Sequence, residues 1–198
     1  MSALTELYQE VANCQDCELA KYRTKVVPGE GPEDAELFFI GEAPGWHEDQ
    51  QGRPFVGPAG AFLEQLLASI GLSREQVYIA NVVKCRPPGN RDPLPAEIQA
   101  CRKWLERQIE AIHPRMIVTL GRYSLAKYFP NQSISKIHGK VRKEGDIIYY
   151  PMYHPAAALH QGSLRQIIEA DMLRIPEILA QAGKITEAPV EAQQLNLL

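Results

Sequence analysis

The chain has 198 residues, of which 45% are hydrophobic and 23% are charged. This length and composition are typical of one globular domain with a sizeable core, and they exclude a disordered or fibrous protein. The formal net charge of -3 at pH 7 argues against a protein that coats nucleic acid by charge alone, but it does not exclude local basic patches.

Membrane insertion and secretion are not expected from the sequence. No apolar stretch is long enough to span a bilayer, and the N-terminal residues lack the basic and apolar regions of a signal peptide. We therefore expect a cytoplasmic protein with no membrane partner.

Apolar patterns predict a βαβ architecture. A helix over residues 4–13 precedes a loop over residues 22–35, and a second loop covers residues 41–57. The predicted strands are residues 36–40, 77–83, 116–120 and 147–153, and the predicted later helices are residues 58–70, a helix opened by Pro95, 121–128 and 164–182, the last interrupted near Pro176. Strands that alternate with helices form a mainly parallel sheet covered on both faces, so the fold class is α/β. We assign residues 1–182 to one domain and expect residues 183–198 to be a mobile tail.

The turn Gly41-Glu42-Ala43-Pro44-Gly45 directly follows the first strand. Ligands of open α/β sheets bind at the carboxyl ends of such strands. The glycines allow a ligand to approach the backbone closely, and Glu42 adds an ionisable group. On its own, this turn is also typical of an ordinary surface loop.

A histidine follows the last predicted strand. His154 precedes Pro155, and a proline can open a helix at that position. A single histidine is more often structural than catalytic. Because parallel strands share one carboxyl edge, however, Glu42 and His154 are expected to face a common pocket.

The four cysteines indicate a metal centre. Cys14 and Cys17 form a C-x2-C pair, a spacing that lets two thiolates bind one centre, whereas Cys85 and Cys101 are far apart. Two disulfides do not suit a cytoplasmic chain. Four thiolates fit structural zinc or a [4Fe–4S] cluster. The wide separation of Cys85 and Cys101 favours iron–sulfur, with zinc left as the alternative.

Two groups of basic residues are candidates for phosphate contact, or for ordinary solvated faces. The first group is Lys136, Lys140, Arg142 and Lys143, and the second is Lys84, Arg86, Arg91, Arg102 and Lys103.

These motifs, taken in order, resemble those of the family 4 uracil-DNA glycosylases, the iron–sulfur type of bacteria and archaea. The resemblance covers residues 4–176 and is carried by Gly41–Gly45, Phe55, Asn81, His154-Pro155 and the four cysteines. It implies a three-layer α/β/α sandwich with a central four-stranded, mainly parallel sheet. It also implies a monomeric, nucleoid-associated enzyme of base excision repair. Such an enzyme hydrolyses the N-glycosidic bond of uracil in single- or double-stranded DNA and leaves an abasic site.

The resemblance also implies a [4Fe–4S] cluster on Cys14, Cys17, Cys85 and Cys101, with a structural role.

The resemblance assigns roles around a flipped-out uracil. Phe55 would stack on the base, and the Asn81 amide would match uracil O4 and N3–H. His154 would donate a hydrogen bond to O2 as the bond breaks. Backbone N–H groups from Gly41 to Ala43 would support the same pocket.

Further roles follow for the loops around the pocket. Other uracil-DNA glycosylase families carry aspartate at the position of Ala43, so Glu42 is our choice for the general base. Asn90 would help to place the attacking water. Glu48 would lie beside C5 of the base and exclude the methyl group of thymine.

The DNA-contacting residues implied by the resemblance are Leu159, His160 and Arg165, with Leu159 filling the space left by the base. Residues 194–198 resemble the short peptides by which bacterial repair proteins bind the sliding clamp. Two alternative functions are a non-catalytic iron–sulfur module that binds DNA or senses redox state, and a zinc-stabilised nucleotide hydrolase.

Overall fold

A computed structural model of the protein describes residues 2–182, and these residues contain one five-stranded sheet. The strands are β1 (Leu37–Gly41), β2 (Tyr78–Asn81), β3 (Met116–Leu120), β4 (Arg142–Glu144) and β5 (Ile147–Met152). Their order is β2-β1-β3-β5-β4, and all neighbours are parallel except β4 and β5. The α/β fold class is therefore confirmed, whereas the count of four strands was too low.

The missed strand, β4, has no apolar run to mark it. It consists of Arg142, Lys143 and Glu144 and pairs antiparallel with β5 across a turn in which Gly145 has φ 58°. An edge strand that is solvated on one side needs no buried stretch, so hydrophobic patterning does not detect it.

Nine α-helices surround the sheet within the described residues. They are α1 (Ala3–Ala12), α2 (Trp46–Gln51), α3 (Pro58–Ser69), α4 (Pro95–Ile112), α5 (Arg122–Tyr128), α6 (Ile134–Ile137), α7 (Pro155–His160), α8 (Ser163–Leu173) and α9 (Ile175–Ala180). Proline begins α3, α4 and α7, as expected for a residue that lacks a backbone N–H. Residues 41–57 are not entirely loop, because α2 lies within them.

The core has two halves, one on each face of the sheet. Phe39, Val118 and Tyr150 belong to the half that α3, α8 and α9 cover, whereas Phe38 and Ile117 belong to the half that α1 and α4 cover. Neighbouring residues of a strand point to opposite faces, which explains this division. The arrangement is the expected three-layer sandwich.

The sheet topology creates a crevice at one edge. β1 lies between β2 and β3, so the chain turns in opposite directions on either side of it. In such sheets ligands bind outside the carboxyl ends of the strands at this switch point. Gly41 and Asn81 end their strands there and are paired in register. Across residues 2–182, none of the helices combines the length and the apolar character needed to span a bilayer.

Candidate active site and cysteine pocket

Four residues predicted for the site converge at the carboxyl edge of the sheet. A Cβ atom on Gly41 would lie 2.4 Å from Asn81 Oδ1 and 2.7 Å from the Phe55 ring. The Phe55 ring in turn stacks on the imidazole of His154, with centroids 5.4 Å apart and an interplanar angle of 26°. Glycine is therefore required at position 41 by close approach, with the Asn81 carboxamide and the Phe55 ring packed over it.

His154 is held as a neutral hydrogen-bond donor. It precedes α7, where its Nδ1 accepts the Ala156 N–H at 3.1 Å. Because Nδ1 is an acceptor, the ring proton lies on Nε2. Burial lowers the pKa of His154 to about 4, partly opposed by the nearby Glu48 carboxylate. The imidazole is therefore uncharged at neutral pH, with an N–H available at Nε2.

Asn81 is 2% exposed, and its side-chain Oδ1 has no hydrogen-bond partner. Its backbone oxygen accepts from Lys84 Nζ at 2.8 Å, and the same ammonium donates to Gln108 Oε1 at 2.7 Å. A buried acceptor without a partner is costly, and in native proteins it often marks a ligand site. The carboxamide therefore suits a ligand that presents an N–H donor.

The Glu48 carboxylate is occupied by backbone groups. It accepts from Gly45 N at 3.1 Å and from Val56 N and Gly57 N at 2.9 Å each. These contacts favour a role in holding the N-terminal ends of α2 and α3 together. Its contact with C5 of a base stays a prediction.

Glu42 is half-buried after the end of β1. Burial raises the pKa of its carboxyl, and the Asp92 carboxylate raises it further, whereas the Arg122 guanidinium opposes both. Arg122 also forms an ion pair with Asp92. A raised pKa suits proton exchange near neutral pH. Asn90 is exposed, and its Oδ1 accepts from Arg86 Nε at 2.7 Å.

Ala43 is half-buried and packs against the core half that contains α1 and α4.

Three predicted DNA-contacting residues lie on the α7–α8 side of the crevice. Leu159 is 51% exposed, and His160 is also exposed. Arg165 lies over the Phe62 ring and donates to Glu169 at 2.9 Å and to Gln65 at 3.1 Å. An exposed leucine at the end of a short helix is suited to insertion between stacked bases.

The four cysteines line one pocket between α1, α4 and the loop after β2. All four are free thiols, with Cys85 and Cys101 buried and the other two half-buried. Arg23 donates to the Cys85 sulfur at 3.3 Å, and the backbone N–H of Lys84 donates to the Cys101 sulfur at 3.2 Å. Burial raises the pKa of the Cys101 thiol to about 12, partly opposed by the nearby Lys84 ammonium.

The cysteine pocket contains an unpartnered hydrogen-bond donor. Trp104 lines it, and its buried indole N–H has no hydrogen-bond partner. Among residues 2–182, no three side chains of His, Cys, Asp or Glu are arranged to hold a single metal ion. The four thiols surround a common space.

In the second basic group Lys84 is not available to phosphate, and Arg91, Arg102 and Lys103 form partly exposed ion pairs. Lys84 is 1% exposed and its ammonium is used internally. Arg91 pairs with Glu97. Arg102 pairs with Glu106 and Lys103 with Asp16. Sequence alone does not reveal which cations are neutralised by residues distant in the chain.

Sequence comparisons with known proteins give a consistent set of relatives. A family model, "Uracil DNA glycosylase superfamily", matches residues 28–172. The chain is 50% identical over 196 residues to "Type-4 uracil-DNA glycosylase" of Sulfurisphaera tokodaii, covering 94% of this chain and 89% of the relative. It is 48% identical to the protein of that name from Saccharolobus solfataricus, covering 91% and 88%, and 47% identical to that from Archaeoglobus fulgidus, covering 90% and 94%.

Proposed function

The chain belongs to the uracil-DNA glycosylase superfamily, and on that premise we propose that it is a type-4 enzyme that excises uracil from DNA. It hydrolyses the N-glycosidic bond and leaves an abasic site for base excision repair. The observation that carries the proposal is the unpartnered, buried Oδ1 of Asn81 beside Gly41 and Phe55.

Uracil presents the hydrogen-bonding groups that the Asn81 carboxamide needs. Its N3–H supplies the donor for Asn81 Oδ1, while its O4 accepts from the Asn81 amide N–H. Cytosine presents an acceptor at N3 and a donor at position 4. It would therefore place its acceptor against Asn81 Oδ1 and its donor against the Asn81 amide N–H. The Phe55 ring offers a stacking surface to the flipped base.

Bond cleavage is assisted where negative charge develops. As the glycosidic bond breaks, charge accumulates on the departing uracil, and the Nε2–H of His154 donates to its O2. A donor that is fixed in place before the reaction stabilises this charge without reorganisation. Glu42 and Asn90 place the attacking water, with Glu42 as the base that accepts its proton.

DNA lies across the α7–α8 side of the crevice in this proposal. Leu159 occupies the space vacated by the flipped base, and His160 and Arg165 face the strand beside it. The proposed clamp-binding segment, residues 194–198, lies outside the described residues, as does the tail that contains it.

The four cysteines hold a [4Fe–4S] cluster in this proposal. These thiolates would hold the cluster, the Arg23 guanidinium already donates to the Cys85 sulfur, and the unpartnered Trp104 N–H would be available as a second donor to sulfur. When bound, the cluster serves as a covalent cross-link, since glycosidic hydrolysis needs no electron transfer. It joins the segment after α1, the loop after β2 and α4.

Replacing a cluster ligand should separate this assignment from zinc. Cys101→Ser is expected to lose most of the iron and the brown absorption at about 400 nm. The thermal midpoint should fall by about 10 °C, because losing a cross-link costs roughly 3 kcal/mol. Iron, sulfide and zinc analysis of the purified proteins, with melting curves, provides the measurement.

Val11→Ala is the matched control for that experiment. Val11 lines the same pocket but offers no ligand, so its variant should keep the iron and lose only packing energy. A colourless wild-type protein with one bound zinc would contradict the cluster.

The function itself is tested by base release. Cluster-loaded protein is incubated with labelled DNA that carries U·G, U·A, T·G or single-stranded uracil. We expect free uracil and alkali-labile sites from the uracil substrates and none from T·G. The alternative, a DNA-binding module without activity, predicts DNA affinity that changes with oxidation state and no released base.

A further inference from the structure

Phe55 has a backbone conformation that an aromatic residue rarely adopts. Its φ is 52°, in the left-handed region, although it is 5% exposed and lies in the core. A bulky side chain in this region costs about 1–3 kcal/mol and persists only where the surroundings enforce it. Something outside the loop must therefore hold this residue.

Arg74 holds the loop by its carbonyl oxygens. The guanidinium donates to Pro54 O at 2.7 Å and to Phe55 O at 3.0 Å. Arg74 is 8% exposed and is anchored by Glu64 at 2.8 Å and by Glu30 at 3.3 Å. A planar guanidinium can reach two consecutive carbonyls at fixed angles, which the single ammonium of lysine does not reproduce.

Glu48 holds the next part of the loop by its N–H groups. It accepts from Val56 N and Gly57 N at 2.9 Å each. The peptide group between Phe55 and Val56 is thus fixed at its oxygen by Arg74 and at its nitrogen by Glu48. Opposite charges at the two ends of one peptide dipole both favour the observed orientation.

The loop is also pressed against α3 at this point. A Cβ atom on Gly60 would lie 1.9 Å from Phe55 O, so only glycine permits this approach. The carbonyl that Arg74 binds therefore has little freedom to rotate. This backbone orientation directs the Phe55 side chain so that its ring stacks on His154 and covers Gly41.

We propose that Arg74 is a positioning residue for base recognition, which acts with Glu48 as a two-sided clamp on the Phe55–Val56 peptide and so orients the Phe55 ring toward the flipped uracil. The inference rests on the proposed function, because the ring must have a base to stack on. Arg74 itself lies behind the loop and acts through Phe55.

The chain offers a matched control in Arg53. It donates to the same Glu30 at 2.7 Å through both Nε and Nη2 but is 51% exposed, and neither of these two hydrogen bonds involves the loop carbonyls. Arg74→Lys and Arg53→Lys make the same chemical change on the same carboxylate. Any difference between them therefore reports on the contacts that Arg74 alone makes, to the carbonyls of residues 54 and 55 and to Glu64.

The experiment measures single-turnover uracil release, inhibition by free uracil and affinity for undamaged DNA. Arg74→Lys should lower the cleavage rate by about 10- to 100-fold, since small misplacements in an active site have effects of this size. Inhibition by free uracil should weaken in parallel. The DNA affinity of Arg74→Lys should stay within about twofold of wild type. The cleavage rate of Arg53→Lys should also stay within about twofold of wild type.

A double-mutant cycle decides whether Arg74 acts through the ring. In a Phe55→Leu background, Arg74→Lys should change the rate less than about twofold, because the ring it orients is gone. An equal effect in both backgrounds, or a fall in DNA affinity of the same size, would assign Arg74 a general structural role and overturn the inference.

Folding is checked by circular dichroism, and Arg74→Gln provides a second, neutral variant that still donates to one carbonyl. Rates for Arg74→Gln at or above those of Arg74→Lys would support hydrogen bonding to the carbonyls rather than charge. Rates for both variants equal to that of Arg53→Lys would refute the clamp. Wild-type protein that releases no uracil would refute the proposed function, a result distinct from these.

Discussion

Replacing Asn81 by aspartate should reduce uracil release by about 100-fold or more and make cytosine release detectable. Asn81 is 2% exposed, so a mismatch there is not relieved by water. An ionised carboxylate would oppose uracil O4 with a second acceptor, whereas a protonated carboxyl would accept from the amino group of cytosine and donate to its N3. Sites built around buried hydrogen bonds discriminate strongly between partners, since an unpaired buried group costs about 1–3 kcal/mol.

The assay uses one DNA sequence with uracil or cytosine at the same position, compared between wild type and Asn81→Asp. Asn131→Asp serves as the control, because Asn131 is an exposed turn residue with φ 62° and undergoes the same chemical change. The control should keep wild-type rates on both substrates. An Asn81→Asp protein that folds but releases no cytosine would count against Asn81 as the residue that reads the base.

The positions of the main site residues follow from strand-end reasoning. Gly41, Asn81 and His154 each lie at or just after a buried parallel strand, and parallel strands bring their carboxyl ends to one edge. The apolar runs before them are long enough to identify those strands. For this reason the sheet edge and most of the site could be predicted from the sequence.

The contacts that hold the site could not be predicted in the same way. Arg74 and Glu48 are ordinary charged residues in sequence, and Lys84 was grouped with exposed cations although it is buried against Gln108. Their roles depend on backbone groups distant in the chain, and no periodic pattern encodes such contacts. The helix α2 was likewise missed because it has only six residues and no apolar face.

Lys84 links the two functional regions of the protein. Its backbone N–H donates to the Cys101 sulfur, and its ammonium donates to the backbone oxygen of Asn81. The Gln108 amide continues the network to Tyr78, whose hydroxyl lies 2.6 Å from that of Tyr8 on α1. A continuous chain of hydrogen bonds therefore joins the cysteine pocket to the strand end that carries Asn81.

Replacing His154 by alanine should lower the cleavage rate by about 10²- to 10³-fold with little change in DNA affinity. This is the usual effect of removing one fixed donor to a developing anion. His154→Gln should recover part of the rate if its amide N–H reaches the same position. Single-turnover rates and DNA binding are measured for both variants, with His113→Ala as the control, because His113 is the exposed residue that ends α4.

The pH dependence of His154 distinguishes a neutral from a charged donor. Burial places its pKa at about 4, below the ordinary value of 6.5, so the neutral ring is favoured in the folded protein. The stabilisation associated with this shift is complete above about pH 6.5 and is lost as the pH falls toward 4, because protonation at Nδ1 also breaks the contact with Ala156 N.

The contribution of His154, taken as the ratio of wild-type to His154→Ala rates, should therefore stay constant from about pH 6 to 8 and diminish below pH 5. A ratio that falls as the pH rises through 6.5 would show that the imidazolium is the active form, and the neutral-donor mechanism would then be wrong.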